Sequence, residues 1–187
     1  MVIVGISSMT KWANIFAIKI ITIMMILLSK PGFSLNPTDV TCSGEYVWVA
    51  TDEGIFIFNQ NTEQFGQIKP QQYGSIHNQC RTIEKMPDGS MWMGISDRNI
   101  LRYYQGQSAM LDKNSLGGTQ IGDVNSIAWD GSHIWLSSGF SVNLYNGHSL
   151  LTFFDLEWAG LSSPPVRDIA IDKDGTAWSV GQAGLIH

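Results

Sequence analysis

Short apolar runs recur along this chain without a polar face. Ile55-Phe56-Ile57-Phe58 and Met91-Trp92-Met93 are hydrophobic at consecutive positions. Side chains of a strand alternate between the two faces of its sheet, so such runs fit a sheet buried on both sides. The runs form a repeat: Trp48, Trp92, Trp135 and Trp178 lie 44, 43 and 43 residues apart. A turn signal precedes each, namely Ser43-Gly44, Asp88-Gly89, Asp130-Gly131 and Asp174-Gly175. Asp-Gly between apolar runs marks a hairpin, because both residues tolerate positive φ. From that Gly to the Trp is four residues in the first and third copies and three in the others, so the turns differ in length.

Upstream of each turn the pattern predicts a strand, at residues 40–42, 80–83, 124–128 and 166–171. Downstream of each Trp it predicts another, at 55–58, 100–104, 142–145 and a stub at 185–187. Gly54, Asn99, Ser141 and Gly184 precede these third strands, and Gly or Asn there suggests a left-handed backbone. Weaker fourth strands follow at 64–68, 108–111 and 150–154. Each unit is therefore a sheet of three or four short antiparallel strands.

A sandwich would bury one face of each sheet and show alternation, and a solenoid of this period would more often show helical periodicity. Period, strand count and two-sided burial together predict an all-β fold of β-propeller blades, with no helix past the N-terminal segment. The residues from 35 onward amount to about three and a half repeats, and the last stops inside its third strand, whereas propellers close with about 4–8 blades. The expectation is a partial propeller over 35–187, an open arc whose end faces favour association.

The first 34 residues stand apart. Lys11 and Lys19 precede a run, Ile20 to Leu28, that is apolar except for Thr22, and Ser29-Lys30-Pro31-Gly32-Phe33-Ser34 follows. A basic region, an apolar core, then small and helix-breaking residues describe an export signal, cut at Ser34–Leu35. An uncleaved N-terminal membrane anchor is the alternative, although the run is short against the ~20 residues a spanning helix needs. The product is expected outside the cytoplasm, periplasmic or extracellular.

Hydrophobic residues make up 44% of the 187 and charged ones 14%, a mix that argues against disorder. The net charge of −5 argues against nucleic acid as a partner, since phosphate binding needs clustered Lys and Arg. Export would permit a disulfide between Cys42 and Cys80, but two separate buried thiols are expected.

The order Val-x-x-Ile-x-x-Asp-x-Asp-Gly-x-x-Trp followed by Gly-Leu is clearest from Val166 to Trp178 with Gly184-Leu185, and Val47 to Ile55 matches its later half. Over about residues 40 to 187 the chain resembles the two-component regulator propeller repeat. That resemblance implies the exported sensor region of a bacterial membrane receptor, responding to extracellular ligands that are often glycans. It also implies partners: the remainder of a longer propeller, or a membrane signalling protein. The usual Trp-Ile-Gly-Thr is altered here to Trp48-Val49-Ala50-Thr51, Trp92-Met93-Gly94-Ile95 and Trp135-Leu136-Ser137-Ser138.

No His-Glu-x-x-His, Gly-x-Ser-x-Gly or phosphate-binding loop occurs in the sequence, so no catalytic residue, metal site or cofactor is assigned. The four His occupy different repeat positions, and Asp172-Lys173-Asp174-Gly175 reads as a turn rather than a calcium loop. The repeated Trp suit core packing. Aromatics for stacking a sugar would sit in loops, such as Phe140 or Tyr73. In a four-stranded blade, the loop entering the first strand and the loop between the second and third share one end. That end gathers Arg81, Asn125, Arg167, Asp97, Arg98 and Asp52, and Arg with Asp near a channel can hold a carboxylate or a sugar. Ligand binding or sensing is the expected function. A propeller-scaffold enzyme acting on polysaccharide and a structural interaction module are the alternatives.

Overall fold

A computed structural model describes residues 35–96, 98–111, 122–139, 141–155, 166–182 and 184–187. The predicted all-β fold is present as four antiparallel sheets, each a meander whose strands follow in chain order. Blade 1 contains β1 (Pro37–Ser43), β2 (Tyr46–Thr51), β3 (Gly54–Asn59) and β4 (Phe65–Ile68). Blade 2 contains β5 (Cys80–Lys85), β6 (Met91–Ile95), β7 (Asn99–Tyr104) and β8 (Gln107–Leu111). Blade 3 contains β9 (Val124–Trp129), β10 (Ile134–Ser138), β11 (Ser141–Tyr145) and β12 (Leu150–Asp155). Blade 4 contains β13 (Val166–Ile171), β14 (Ala177–Gly181) and β15 (Gly184–Ile186). One 3₁₀ turn, Pro70–Tyr73, departs from the predicted absence of helix; Pro70 presets its φ and Gly74 closes it at φ 96°. Among the described residues no helix is long and apolar enough to cross a membrane.

Two-sided burial is realised most fully in blade 2, where every residue of β6 is buried. One face of that blade meets Trp48, Ala50 and Ile55 of blade 1 through Met91, Met93 and Ile95. Its other face meets Val124, Leu136 and Tyr145 of blade 3 through Trp92 and Ile100. Blade 3 packs on blade 4 through Val142 against Val166 and Ile169. Trp48 and Trp92 thus point at the following blade. Trp48 lies 4.9 Å from Tyr103, and Trp92 lies 5.9 Å from Tyr145, ring centre to ring centre.

Blade 4 differs. Val180 and Leu185 are 43% and 68% exposed, whereas their repeat equivalents Ala50 and Ile55 in blade 1 are both at 0%. The first strands pack in succession, β1 on β5, β5 on β9 and β9 on β13, and no comparable packing joins β13 to β1 among the described residues. Cys42 and Cys80 are free thiols, and burial pushes both up in pKa.

Left-handed backbone occurs at Gly54 and Gly184 as predicted, but not at Asn99; in blade 2 Arg98, one residue earlier, takes it at φ 68°. The connection is one residue longer in blade 2, with three residues between the paired Ile95 and Asn99 against two between the paired Thr51 and Gly54. Gly94 is required for space instead. A Cβ there would sit 2.7 Å from the Val124 carbonyl oxygen of blade 3 and 2.8 Å from Thr82 Cγ2.

The first-hairpin turns tie to the Trp. Trp135 and Trp178 donate their indole N–H to Asp130 at 2.8 Å and Asp172 at 2.9 Å, and Trp92 donates to the Ser90 hydroxyl at 3.0 Å. Partial burial works to raise the Asp130 carboxyl, but hydrogen bonds from the Trp135 indole and the His133 and Ser132 amides outweigh it and hold the group below the usual range. The Trp178 indole, joined by the Thr176 amide, does the same for Asp172.

Two outcomes follow. Gly94→Ala is expected to destabilise the domain by about 1–3 kcal/mol through overpacking between blades 2 and 3, read as a lower urea midpoint at unchanged slope. A carboxyl depressed in the folded state stabilises fully above its unfolded pKa of about 4 and loses that contribution as pH falls through the folded value. Urea stability should therefore decline from about pH 4 downward, and Asp130→Asn should flatten that decline; an unchanged acid limb would show that this carboxyl is not linked to folding.

Candidate functional site

The first strand of every blade carries an irregularity at the same place. Pairing to the second strand skips one residue between Pro37 and Asp39, between Cys80 and Thr82, between Val124 and Ser126, and between Val166 and Asp168. A bulge leaves the extra residue out of the ladder and re-aims its side chain. The four skipped residues are Thr38, Arg81, Asn125 and Arg167, and all four border one open recess of about 510 Å³, with Gln79, Asp123 and Gly139 completing it. The sequence-predicted Arg81, Asn125 and Arg167 are therefore brought together.

The remaining candidates are not part of it. Arg98 is exposed in the turn before β7 and does not border the recess. Asp97 lies outside the described residues, as does Phe140. Asp52 is occupied by the backbone amide and side-chain amide of Asn36, at 3.0 and 2.6 Å. Tyr73 is 38% exposed in the 3₁₀ turn.

Within the recess, the side chains divide into those that hold neighbouring blades and one that does not. Arg81 reaches from blade 2 to Asp123 at 3.0 Å and Asn125 at 3.2 Å, while its Nε donates to Ser96 at 3.0 Å. Ser96 in turn donates to Gln79 at 2.8 Å. Asn125 donates to the Val166 carbonyl of blade 4 at 2.7 Å, and Thr38 donates to the Cys80 carbonyl of blade 2 at 2.7 Å. Arg167 is exposed and has no hydrogen-bond or ion-pair partner among the described residues. Since Asp123 balances Arg81, the recess carries one uncompensated positive charge, at Arg167. An anionic group docked there would gain a charge-assisted bond of the kind guanidinium makes with carboxylate.

Sequence reasoning missed Thr38, Gln79 and Asp123. Thr38 was recoverable, since it stands at the repeat position of Arg81, but its strand was predicted to start only at Val40. Gln79 and Asp123 lie in connections that differ between repeats, and no periodic signal marks them. Among the described residues, no group of three or more His, Cys, Asp or Glu has metal-holding geometry.

No family model matches the chain, and no curated protein matches it. Solved structures do. The extracellular domain of the one-component system BT4673 from B. thetaiotaomicron aligns over 84% of this chain and 22% of its own length, at 14% identity and TM-score 0.65. The extracellular domain of the hybrid two-component system BT3049 from the same organism aligns over 80% and 21%, at 16% identity and TM-score 0.65. The computationally designed protein Ika4 aligns over 84% of this chain and 93% of its own, at 12% identity and TM-score 0.59. The chain thus spans about a fifth of the length of the two natural domains and nearly the whole of the designed one. At these identities the likeness establishes the fold: the chain is built as four successive β-propeller blades.

Proposed function

We propose that this chain is an exported ligand-binding module of a sensor-type β-propeller, and that its ligand is a small extracellular molecule, such as an acidic sugar, whose carboxylate docks on Arg167. One observation carries the reading: a bulge repeated in every blade turns Thr38, Arg81, Asn125 and Arg167 onto a single recess, and only the Arg167 charge is left unpaired. The blade-to-blade bonds of Arg81 and Asn125 hold the recess rigid, which keeps the ordering cost of binding low. The leader-like residues 1–34 and the extracellular setting of the two similar natural domains support export. On this reading residues 1–34 are a cleaved signal or an N-terminal anchor.

The second partner is a further propeller blade. Val180 and Leu185 of blade 4 occupy the positions that blades 1 to 3 bury beneath the blade that follows. Asp168 stands at the repeat position of Asp39 but is bonded to the preceding blade. Its equivalent Asp39 accepts the Thr82 hydroxyl at 3.0 Å and the Ile83 amide at 2.9 Å from the next blade, through Oδ2. Asp168 uses Oδ1 for Ser126 and its neighbour's amide, and Oδ2 has no partner among the described residues.

Calorimetric titration with galacturonate and glucuronate oligosaccharides, beside their neutral counterparts, tests the ligand. Binding of the acidic set, weakened by about tenfold or more in Arg167→Ala, is expected from the loss of one charge-assisted hydrogen bond. Equal binding by Arg167→Ala would overturn the assignment, and turnover of any oligosaccharide would move the reading to a propeller-scaffold enzyme. For the second partner, light scattering of the wild-type chain should report association at high concentration that Leu185→Lys weakens; a monomer at all concentrations would count against it.

A further inference from the structure

A second recess, of about 500 Å³, opens at the first-hairpin end of the blades, where blade 1 meets blade 2. Its walls are aromatic. Tyr46 and Trp48, two apart on β2, share the face turned to blade 2, and Tyr103 of β7 stands across from them. Its edge is polar: the side chains of Ser43, Thr62 and Gln64 border it, and none has a hydrogen-bond partner among the described residues. Gly66 pairs with Ile57 and puts no side chain into the space.

The repeat shows what is unusual here. Trp48 is 4% exposed, yet its indole Nε1 is buried without any hydrogen-bond partner. Trp92, Trp135 and Trp178 all donate that proton to a side chain of their own first-hairpin turn. In blade 1 the turn is cut to Gly44-Glu45, with Ser43 paired directly to Tyr46. By register, Ser43 occupies the position of Asp130 and Asp172, and its side chain does not accept the indole bond. A buried donor left unpaired forfeits the hydrogen bond that water would give it, so it calls for an explanation.

We propose that this recess binds a neutral sugar ring. The ring lies against the exposed Tyr46 face, and one of its oxygens accepts the Trp48 indole hydrogen bond that the other three blades satisfy internally. Aromatic faces suit the apolar side of a pyranose, and the unengaged hydroxyls of Ser43 and Thr62 with the Gln64 amide suit its hydroxyls. Nothing in the recess is charged among the residues that border it. The site is thus separate from the Arg167 recess in both place and ligand charge. Tyr46 is 40% exposed, so its face is open to a ligand, and the proposal requires the wall to shift where it covers the buried indole nitrogen.

The test uses the full chain and neutral hexasaccharides of gluco, galacto, manno and xylo configuration. Calorimetry reports affinity, and the tryptophan indole N–H resonances report which ring is engaged. Binding of at least one hexasaccharide with movement of the Trp48 indole resonance is expected. Tyr46→Ala, at an exposed position, should weaken that binding by about tenfold or more at nearly unchanged melting temperature. Ser43→Asp restores the acceptor that blades 3 and 4 carry, and should raise the melting temperature while weakening binding. Arg167→Ala should leave it untouched. Absence of binding by all four hexasaccharides at millimolar concentration, or binding that survives Tyr46→Ala with the Trp48 resonance unmoved, would overturn the proposal.

Discussion

A four-stranded meander that is apolar on both faces has no stable existence alone; each of its faces must be covered. That requirement governs everything seen here. It explains why Met91, Trp92 and Met93 are all buried in consecutive positions, with Trp92 turned to blade 3 and its two neighbours to blade 1. It forces the sheets close enough that residue 94 must lack a side chain. It also places the first strands side by side at the inner edge of the stack, where the chain can present polar groups that the packed faces exclude.

Inner-edge polar groups serve two ends at once. Arg81 and Asn125 hold blade to blade, and the same side chains form the wall of an open recess. Arg81 is balanced by Asp123, so its charge is spent on architecture. Arg167, in the blade with the most exposed faces, has no such neighbour, and its charge remains available to solvent or ligand. The opposite end shows a parallel economy with a different residue: the indole proton that fastens a hairpin in three blades is left over in the first.

The architecture was readable because its signals repeat. Four tryptophans in register, each behind a turn, specify strand order and blade number with no tertiary information. The clustering of Arg81, Asn125 and Arg167 followed from meander topology alone. What periodicity could not carry was the displacement at the start of each first strand. The bulge is a backbone event with no residue signature of its own, since Thr, Arg, Asn and Arg occupy it. The shorter turn of blade 1 was hidden for the same reason: the Gly-to-Trp spacing groups that blade with blade 3, and no residue marks the unpaired donor. Arg98 illustrates the limit from the other side. It stood at the correct end of the blade, yet it is exposed in its turn and does not border the recess.

Among the described residues, the side-chain bonds that join blades reach across 41 to 44 residues and no further. Each blade is thus fastened only to the one just made and the one next to come. In a chain wired this way the mean separation of contacting residues does not grow with the number of blades. Duplication or loss of a repeat would therefore lengthen or shorten the stack without lengthening the loops that folding must close. Each new blade emerging from the ribosome would find its template already in place, and the growing arc could order itself in the direction of synthesis.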